Sequence, residues 1–534
     1  MHPSLNTFFE PVRKKIFFPI FFLFLLFFVF YLIDPNLLLN KMAFFHEILL
    51  NRSASSIVLL GLLLLGLSIA CLFLPFGNIK IGGTKAKPIV TKVQWFAISF
   101  STSISAGIIY WSCSEPLIYF SKPPPFLTQA QNFQEKIAII TGILWNHWSF
   151  AVYAIYTIPT ITLAYLIYNK NLPVSLSSIF IGLGFDNKVK HLRSSIDTMC
   201  IFIMIAGMAS SLATGILMLS GFVEDLAHIP TTPRNLGFFC SCIVVCFIIS
   251  SISGLMKGIK WLSFINVFLM LIMAVMFLSL NKIENAPQIL GESGAYSVRY
   301  LLNTGIQSIQ NEVGEWSKKW TVFYWSSWIA WAPLTAIFLA QLSYGYRVKD
   351  MILMNFLYPS LITVFWLLLT SSTALNINLQ ENGLLSQMAL SATPQKIMSN
   401  ILNYFPFPIL AKFLVLISGC VCFVTTADSN TTVLAQLSIK QSSKSKLVKK
   451  VNIAMKVVWG TCVGFIAWVM SAYLGIDGLR ILNNVSALPA IILFLFVILR
   501  FLKIVTVEEF QGNSKIYGKF KSMKTFLNKE AKPR

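Results

Sequence analysis

Charged side chains are scarce in this sequence. Asp, Glu, Lys and Arg make up 12% of its 534 residues, against about 25% in an average soluble domain. Hydrophobic residues make up 56% and aromatic residues 14%, and the mean hydropathy is +0.71. This composition excludes an ordinary soluble globular protein and predicts an all-α integral membrane protein.

Motifs of catalysis and nucleotide binding are also missing. His46 and Glu47 begin an H-E-x-x-H zinc motif, but Leu50 stands where the second histidine belongs. No G-x-x-x-x-G-K-[ST] phosphate loop occurs, and the nine cysteines show no metal-binding spacing. The sequence therefore disfavours a membrane-embedded enzyme or a nucleotide-driven pump, predicts no catalytic residues, and leaves a secondary transporter or a channel.

Apolar segments long enough to cross a bilayer, about 20 residues each, recur along the whole chain. Twelve candidates are centred near residues 25, 65, 105, 150, 210, 245, 270, 331, 365, 420, 463 and 494. The first runs to about Ile33, which is long for a signal-peptide core, and no A-x-A-like site follows it. We therefore predict twelve retained transmembrane helices, and an amphipathic helix in the long outer loop 281–319.

The formal charge of +22 is unevenly distributed among the loops. With a cytoplasmic N-terminus, the inner loops hold most of the Lys and Arg and the outer loops most of the Asp and Glu. This pattern predicts a cell-membrane protein with residues 1–15 and a basic tail, 505–534, in the cytoplasm, and a transporter domain over 16–504. The charge thus reflects topology rather than nucleic-acid binding, and the tail is expected to touch anionic membrane lipids.

The densest aromatic run is WTVFYWSSWIAW, residues 320–331, in the eighth predicted span. Trp325, Trp328 and Trp331 follow at i, i+3 and i+6, so each step turns about 60° around the helix and the three share a broad face. Indoles can bind a desolvated quaternary ammonium group, which has no N–H to donate, through cation–π attraction of up to ~2 kcal/mol. Trp320, nearer the outer end, is predicted as an interfacial anchor.

The fourth span, LWNHWSFAVYAIY, offers aromatic partners. Trp145, Phe150 and Tyr153 recur at intervals of five and three and share a face loosely. Taken alone, such a stripe is more often a packed core than a ligand site. His147 is a lone histidine, for which a structural role is favoured over proton transfer.

Polar residues interrupt two other apolar spans. The third contains SFSTSISAG, residues 99–107, where close helix packing and a substrate site are equally good interpretations. The tenth contains CFVTTADSNTTV, residues 422–433, in which Thr425 and Thr426 could supply oxygen ligands to a small hard cation. Asp428 is an intramembrane carboxylate and hence a functional-site candidate. The alternative is hydroxyl-to-backbone bonding, with Asp428 paired locally.

Four blocks resemble the betaine/choline/carnitine transporter (BCCT) family: SAGIIYWSCSEPLIYF (105–120), SGLMKGIKWLSFIN (253–266), WTVFYWSSWIAWAPLTAIFLAQLSYGYRVKD (320–350) and FVTTADS (423–429). The resemblance implies a twelve-span, leucine-transporter-like fold with two inverted five-helix repeats, near 94–280 and 320–504. It also implies secondary active transport of glycine betaine, choline or carnitine by alternating access. Many members are trimers, so a homotrimer is the implied assembly.

The family's aromatic box falls on Trp325, Trp328 and Trp331 with Trp145 and Tyr153, and Phe150 stands where many members have tryptophan. Ser327 replaces a second common tryptophan, which puts the usual substrate in doubt more than the fold.

Sodium ligands of the family fall on Ile104, Ser105, Thr425 and Thr426. Proton-coupled members carry an aspartate where Gly107 stands, and sodium-independent exchangers a basic residue where Phe264 stands. Both differences favour Na+ as the coupling ion, with no other cofactor. The alternatives are sodium-independent exchange and transport of a less methylated amine.

Overall fold

The computed structural model describes residues 9–103, 107–125, 127–184, 186–253, 255–281, 285–391, 393–440 and 446–509. Ile104 and Ser105 of the predicted sodium site, and the tail from residue 510, lie outside these ranges. Within them the chain is helical and forms no β-strand, only two single bridges, Val12 to Ile439 and Lys80 to Arg347. The predicted all-α class is confirmed.

The first half of the chain contains these helices: α1 (Lys14–Ile33), α2 (Pro35–Cys71), α3 (Lys92–Ser103), α4 (Gly107–Ser121), α5 (Phe133–Trp148), α6 (Phe150–Tyr168), α7 (Asp186–Ala227), α8 (Pro233–Ser253) and α9 (Leu255–Leu280). The second half contains these: α10 (Ala286–Ile309), α11 (Phe323–Leu342), α12 (Tyr358–Gln380), α13 (Leu384–Met388), α14 (Pro394–Leu402), α15 (Pro408–Ser438) and α16 (Lys446–Lys503). Single π-helical turns, Lys318–Val322 and Leu353–Leu357, precede α11 and α12.

Ten helical segments of the described residues are long and apolar enough to cross a membrane. An eleventh is the broken third span, in which Lys92–Thr102 and Gly107–Ser121 meet at 52°. The last segment, Leu447–Thr506, is 60 residues long and leaves the helical conformation at Gly475, where φ is 54° and ψ is −128°. This left-handed φ favours glycine. The sequence predicts twelve spans because it counts the parts of this last segment before and after Gly475 as two spans.

The helix predicted in the loop 281–319 is present as α10. α10 fills most of the loop 281–319 and packs against α5 and α2. Its apolar and polar residues segregate, as expected for a helix that covers other helices on one side. We call the end of the molecule that carries α10 and Gly475 the α10 end.

The centre of the fold is α11, the helix of the tryptophan run. All its residues from Trp328 to Leu342 except Gln341 are buried, which is typical of a helix enclosed on all sides. It contacts α2, α6, α7 and α16. The approach to α7 is backbone to backbone, because a Cβ at Gly207 would lie 2.9 Å from the Ala330 carbonyl oxygen.

Trp325 connects α11 to α2 rather than to the other tryptophans of its run. The side chain is fully buried, and its indole N–H donates to the Asn146 carbonyl oxygen over 2.8 Å. The ring lies against Gly61, where a Cβ would come within 2.4 Å of it. A side chain at position 61 would collide with this ring, which the hydrogen bond to Asn146 keeps in place.

We therefore expect Gly61→Ala to lower the melting temperature of the detergent-solubilised protein, since overpacking costs about 1–3 kcal/mol. Gly66→Ala in the same helix is the matched control, because nothing lies within 4 Å of a Cβ at Gly66. That control should be neutral or slightly stabilising, as alanine is the better helix former by about 1 kcal/mol. Equal melting temperatures for the two variants would contradict the close packing of Trp325.

Candidate functional site

A small aromatic cavity lies where α4, the end of α5, α7, α11 and the last part of α16 meet. Its volume is about 70 Å³. The aromatic lining consists of Trp111, Trp148, Phe323, Tyr324, Trp328 and Trp331. The polar lining consists of Ser210, Ser211, Thr214, Ser327 and Asn483. None of the described lining residues carries a charge.

Two of the predicted ligand-binding tryptophans, Trp328 and Trp331, line this cavity. Trp328 is fixed, because its indole N–H donates to the His147 carbonyl oxygen over 2.8 Å and its ring meets that of Trp148 edge-on at 5.4 Å. Trp331 is 5% exposed, and its indole nitrogen has no hydrogen-bond partner among the described residues. Its N–H is therefore an unpaired donor in a residue that lines the cavity.

The other predicted aromatic residues lie outside the cavity lining. Phe150 packs against Phe356 at 6.0 Å between ring centroids. The hydroxyls of Tyr153 and Thr363 are 3.2 Å apart. Trp145 faces α10, and Trp325 faces α2 as described above.

The reason for this difference in the fourth span is a break in the helix. The spacing argument for Trp145, Phe150 and Tyr153 assumes one continuous helix, whereas Ser149 separates α5 from α6 with φ −118° and ψ −120°. Spacing across Ser149 therefore does not follow a regular helix, and Trp148 lines the cavity while Trp145, Phe150 and Tyr153 do not. Trp111, on the third span, was likewise not predicted.

Trp320 is buried, contrary to the prediction of an interfacial anchor. Only 6% of its surface is exposed. Its ring packs edge-on against Tyr119 at 5.0 Å and Trp111 at 6.5 Å. The π-helical turn that precedes α11 belongs to this inner aromatic cluster, so the indole packs inside the protein and does not face lipid headgroups.

A buried carboxylate, Glu115 of α4, stands directly behind the cavity wall. Trp148 donates its indole N–H to it over 2.7 Å and Tyr324 its hydroxyl over 2.8 Å. The hydroxyl of Tyr119 also donates to it, and Nδ1 of His147 lies 2.8 Å away. Glu115 is fully buried, so these partners offset the loss of its hydration. The carboxylate thereby fixes two side chains of the wall.

His147 continues this network away from the cavity. Its Nε2 is 3.0 Å from the Thr321 hydroxyl, and that hydroxyl is 2.5 Å from the hydroxyl of Tyr300 on α10. The imidazole thus links three segments of the fold. Sequence reasoning overlooked Glu115, although the rule that singled out Asp428 as an intramembrane carboxylate applies to it equally.

The predicted cation ligands of the tenth span are buried in α15. The Thr425 hydroxyl donates to the Val421 carbonyl oxygen over 2.6 Å, which leaves its lone pairs free. The Thr426 hydroxyl has no hydrogen-bond partner in the described ranges. An unpaired buried hydroxyl is a suitable sodium ligand, because Na+ is a hard cation that binds oxygen.

Asp428, three residues after Thr425 in the same helix, is 1% exposed. One carboxylate oxygen accepts from the Ser250 hydroxyl over 2.7 Å, and the other has no hydrogen-bond partner in the part of the chain described. The buried ammonium of Lys456 on α16 attracts it. Ser250 belongs to α8, so this hydrogen bond joins two helices and is not the pairing within the helix that was the alternative for Asp428.

These features define a class of protein. An all-helical membrane protein whose broken helix ends at an aromatic, uncharged cavity has the architecture of a secondary transporter. The family model described as BCCT, betaine/carnitine/choline family transporter, matches residues 15–510. The chain belongs to this family and is a multi-pass membrane transporter rather than an enzyme.

Curated relatives are similar along most of their length. A probable glycine betaine transporter of Desulfitobacterium hafniense is 28% identical over 78% of this chain and 81% of its own. An ectoine/hydroxyectoine transporter of Virgibacillus pantothenticus is 26% identical over 81% and 85%. A high-affinity choline transport protein of Escherichia coli is 25% identical over 82% and 64%.

Proposed function

We propose that this chain carries quaternary ammonium compounds of the glycine betaine or choline type across the cell membrane by alternating access. The observation that carries the proposal is the grouping of Trp328, Trp331, Trp111 and Trp148 around one uncharged cavity. The relatives named as betaine and choline transporters support the same substrate class.

The chemistry of the cavity suits such a substrate at both ends. A trimethylammonium group cannot donate a hydrogen bond, so indole faces attract it without a penalty for unpaired donors. Ser210, Ser211, Thr214 and Asn483 line the same cavity. The hydroxyls of Ser210 and Thr214 donate to backbone carbonyls, so the hydroxyl of Ser211 and the amide of Asn483 are the donors for the carboxylate or hydroxyl at the other end. Ser327 in place of an indole leaves room for substrates of different shape.

In this proposal the transporter lies in the plasma membrane with both termini in the cytoplasm and the α10 end outside. The distribution of Lys and Arg supports that orientation. A homotrimer is the assembly we propose from the family resemblance.

We further propose that Na+ is the coupling ion and that Thr425 and Thr426 supply ligands to it. The unpaired hydroxyl of Thr426 supports this choice. Sodium-independent exchange is the second candidate, since the buried Lys456 supplies a positive charge that acts on Asp428, in the same helix as Thr426.

Uptake of radiolabelled glycine betaine and choline into proteoliposomes, with and without an inward sodium gradient, tests both candidates. A symporter accumulates substrate only with the gradient, whereas an exchanger ignores sodium and needs substrate preloaded inside. Uptake of neither compound under any of these conditions would contradict the proposed substrate class.

Thr426→Val should raise the sodium concentration for half-maximal uptake at least tenfold, because valine keeps the shape and removes the oxygen. Thr431→Val is the matched control, since the Thr431 hydroxyl only donates to the Ala427 carbonyl in its own helix, over 2.7 Å. The same sodium dependence in both variants would exclude Thr426 as a ligand.

A further inference from the structure

The lone histidine of the fourth span, His147, has neighbours that suit the binding of a proton. Its Nδ1 is 2.8 Å from a carboxylate oxygen of Glu115 and 3.0 Å from the hydroxyl oxygen of Tyr119. The Tyr119 hydroxyl uses its own hydrogen for Glu115, so both oxygens beside Nδ1 are acceptors. The hydrogen of the neutral imidazole is therefore on Nδ1, and Nε2 is the nitrogen that can take up a second proton.

Glu115 and a neutral His147 together carry one negative charge close to the cavity. One oxygen of Glu115 accepts hydrogen bonds from Tyr119 and from Nδ1 of His147. The other accepts from Trp148 and Tyr324, which both line the cavity. A protonated carboxyl group would have to donate at one of these positions, so the arrangement is that of an ionised carboxylate. Its charge is one side chain away from whatever the cavity holds.

Hydroxyl groups connect Nε2 of His147 to the α10 end. Nε2 is 3.0 Å from the Thr321 hydroxyl, and that hydroxyl is 2.5 Å from the hydroxyl of Tyr300. Tyr300 also lines a groove of about 1000 Å³ between the start of α5 and α10. A hydroxyl both donates and accepts, so each member of this chain can pass one proton on while it receives another. The chain thus leads from the groove to the imidazole.

We propose that the pair of His147 and Glu115 is a proton-binding site whose protonation lowers the affinity of the cavity for a cationic substrate. This proposal rests on the proposed function. The proton comes from water in the groove and binds Tyr300, which passes its own hydrogen to Thr321. The Thr321 hydrogen moves to Nε2 of the imidazole. The chain ends with its hydrogen bonds reversed and with one proton more on the pair.

Protonation changes the charge that an ammonium group in the cavity meets. A neutral imidazole leaves the pair with one negative charge, which attracts a cation, and an imidazolium cancels that charge. Glu115 and His147 are fully buried, and charges act on each other more strongly in a buried place than in water. Imidazole is the side chain that ordinarily changes charge between about pH 5 and 8. Acid should therefore weaken the binding of choline and leave a neutral molecule of the same shape unaffected.

The other titratable side chains that the described residues place around the imidazole do not change charge in this range. Tyr119 of α4 and Tyr300 of α10 belong to the network above, and the ring of Tyr324 on α11 stacks on the imidazole at 4.9 Å. Phenols stay neutral up to about pH 10. The guanidinium of Arg480 on α16 lies 5.3 Å from the ring centroid of Phe323 and acts electrostatically on Tyr324. It is always charged, so the pH dependence comes from the pair.

The test is fluorescence titration of the full-length protein in detergent at about pH 8 and about pH 5. The probes are choline and its neutral analogue, in which carbon replaces the nitrogen. In the wild type, acid should lower the affinity for choline at least about fivefold and leave that for the analogue within about twofold. His147→Gln cannot take up the proton and should remove this dependence. His191→Gln, an exposed histidine near the start of α7, is the matched control and should behave as the wild type does.

Tyr300→Phe tests the path, because it removes a hydroxyl of the chain and leaves the pair itself in place. After a stopped-flow jump from high to low pH with choline bound, the fluorescence change should be at least about tenfold slower than in the wild type. Tyr296→Phe is the matched control, since Tyr296 lines the same groove but its hydroxyl donates to Glu135 over 2.5 Å. Equal rates in the two variants would overturn the path through Tyr300.

Equal choline affinities of the wild type at the two pH values would overturn the proposal. A pH dependence that survives in His147→Gln would overturn it as well. The titration of the wild type gives a result even if His147→Gln does not fold. Failure of the wild type to bind either choline or glycine betaine at both pH values would instead refute the proposed function, and the effect of the proton on substrate with it.

Discussion

Replacing Trp328 by alanine is expected to weaken glycine betaine and choline binding about 30-fold. The indole lines the cavity, and two contacts hold it there, a hydrogen bond to the His147 carbonyl and the ring of Trp148. A desolvated cation on such a ring gains up to ~2 kcal/mol, and 1.4 kcal/mol corresponds to a factor of ten in affinity. Fluorescence titration of the purified variant measures the change.

The matched control is Trp261→Ala, since Trp261 is 74% exposed on α9 and lies outside the cavity lining. Its loss should leave affinity within twofold of the wild type. Comparable losses of affinity in the two variants would mean that the indole of Trp328 does not contact the substrate.

Removing the carboxylate of Glu115 is expected to have the largest effect on stability. In Glu115→Ala, the hydroxyls of Tyr119 and Tyr324 and the indole N–H of Trp148 lose a buried acceptor. Each unsatisfied buried donor costs about 1–3 kcal/mol, so the free energy of unfolding should fall by at least about 3 kcal/mol. We expect a much lower melting temperature and no substrate uptake.

Glu115→Gln separates positioning from stability, because it keeps the size and one acceptor oxygen. This variant should fold and bind substrate several-fold more weakly, since Trp148 or Tyr324 then loses its fixed position. Glu315→Gln is the control, as the Glu315 side chain is 89% exposed. Wild-type melting and affinity in Glu115→Ala would contradict a role for the carboxylate in holding the wall.

Helix geometry explains which part of the aromatic site the sequence could predict. Steps of about 60° put Trp325 and Trp331 about 120° apart, so only neighbours in the series share a face. Trp328 and Trp331 reach the cavity, while Trp325 turns to α2 and Gly61. The composition and the lengths of the apolar segments were enough to predict a membrane protein, because neither depends on the direction in which a side chain points.

Other parts of the site could not be derived from spacing. The departure from helical backbone geometry at Ser149 has neither proline nor glycine at that position to signal it, and the spacing of Trp148 and Phe150 across it does not follow a regular helix. The contact of Arg480 with Phe323 joins residues far apart in sequence. Glu115 is different, because an acidic residue within an apolar span is visible in the sequence.

The central claim is that indole faces bind a quaternary ammonium group in this cavity. The most direct test compares choline with its neutral analogue, in which carbon replaces the nitrogen and the shape is the same, by fluorescence titration of the wild-type protein. Cation–π binding predicts that choline binds at least tenfold more tightly, and that this preference is much reduced in Trp328→Ala. Equal affinities for the two compounds would contradict the claim, because shape and apolar contact would then account for all of the binding.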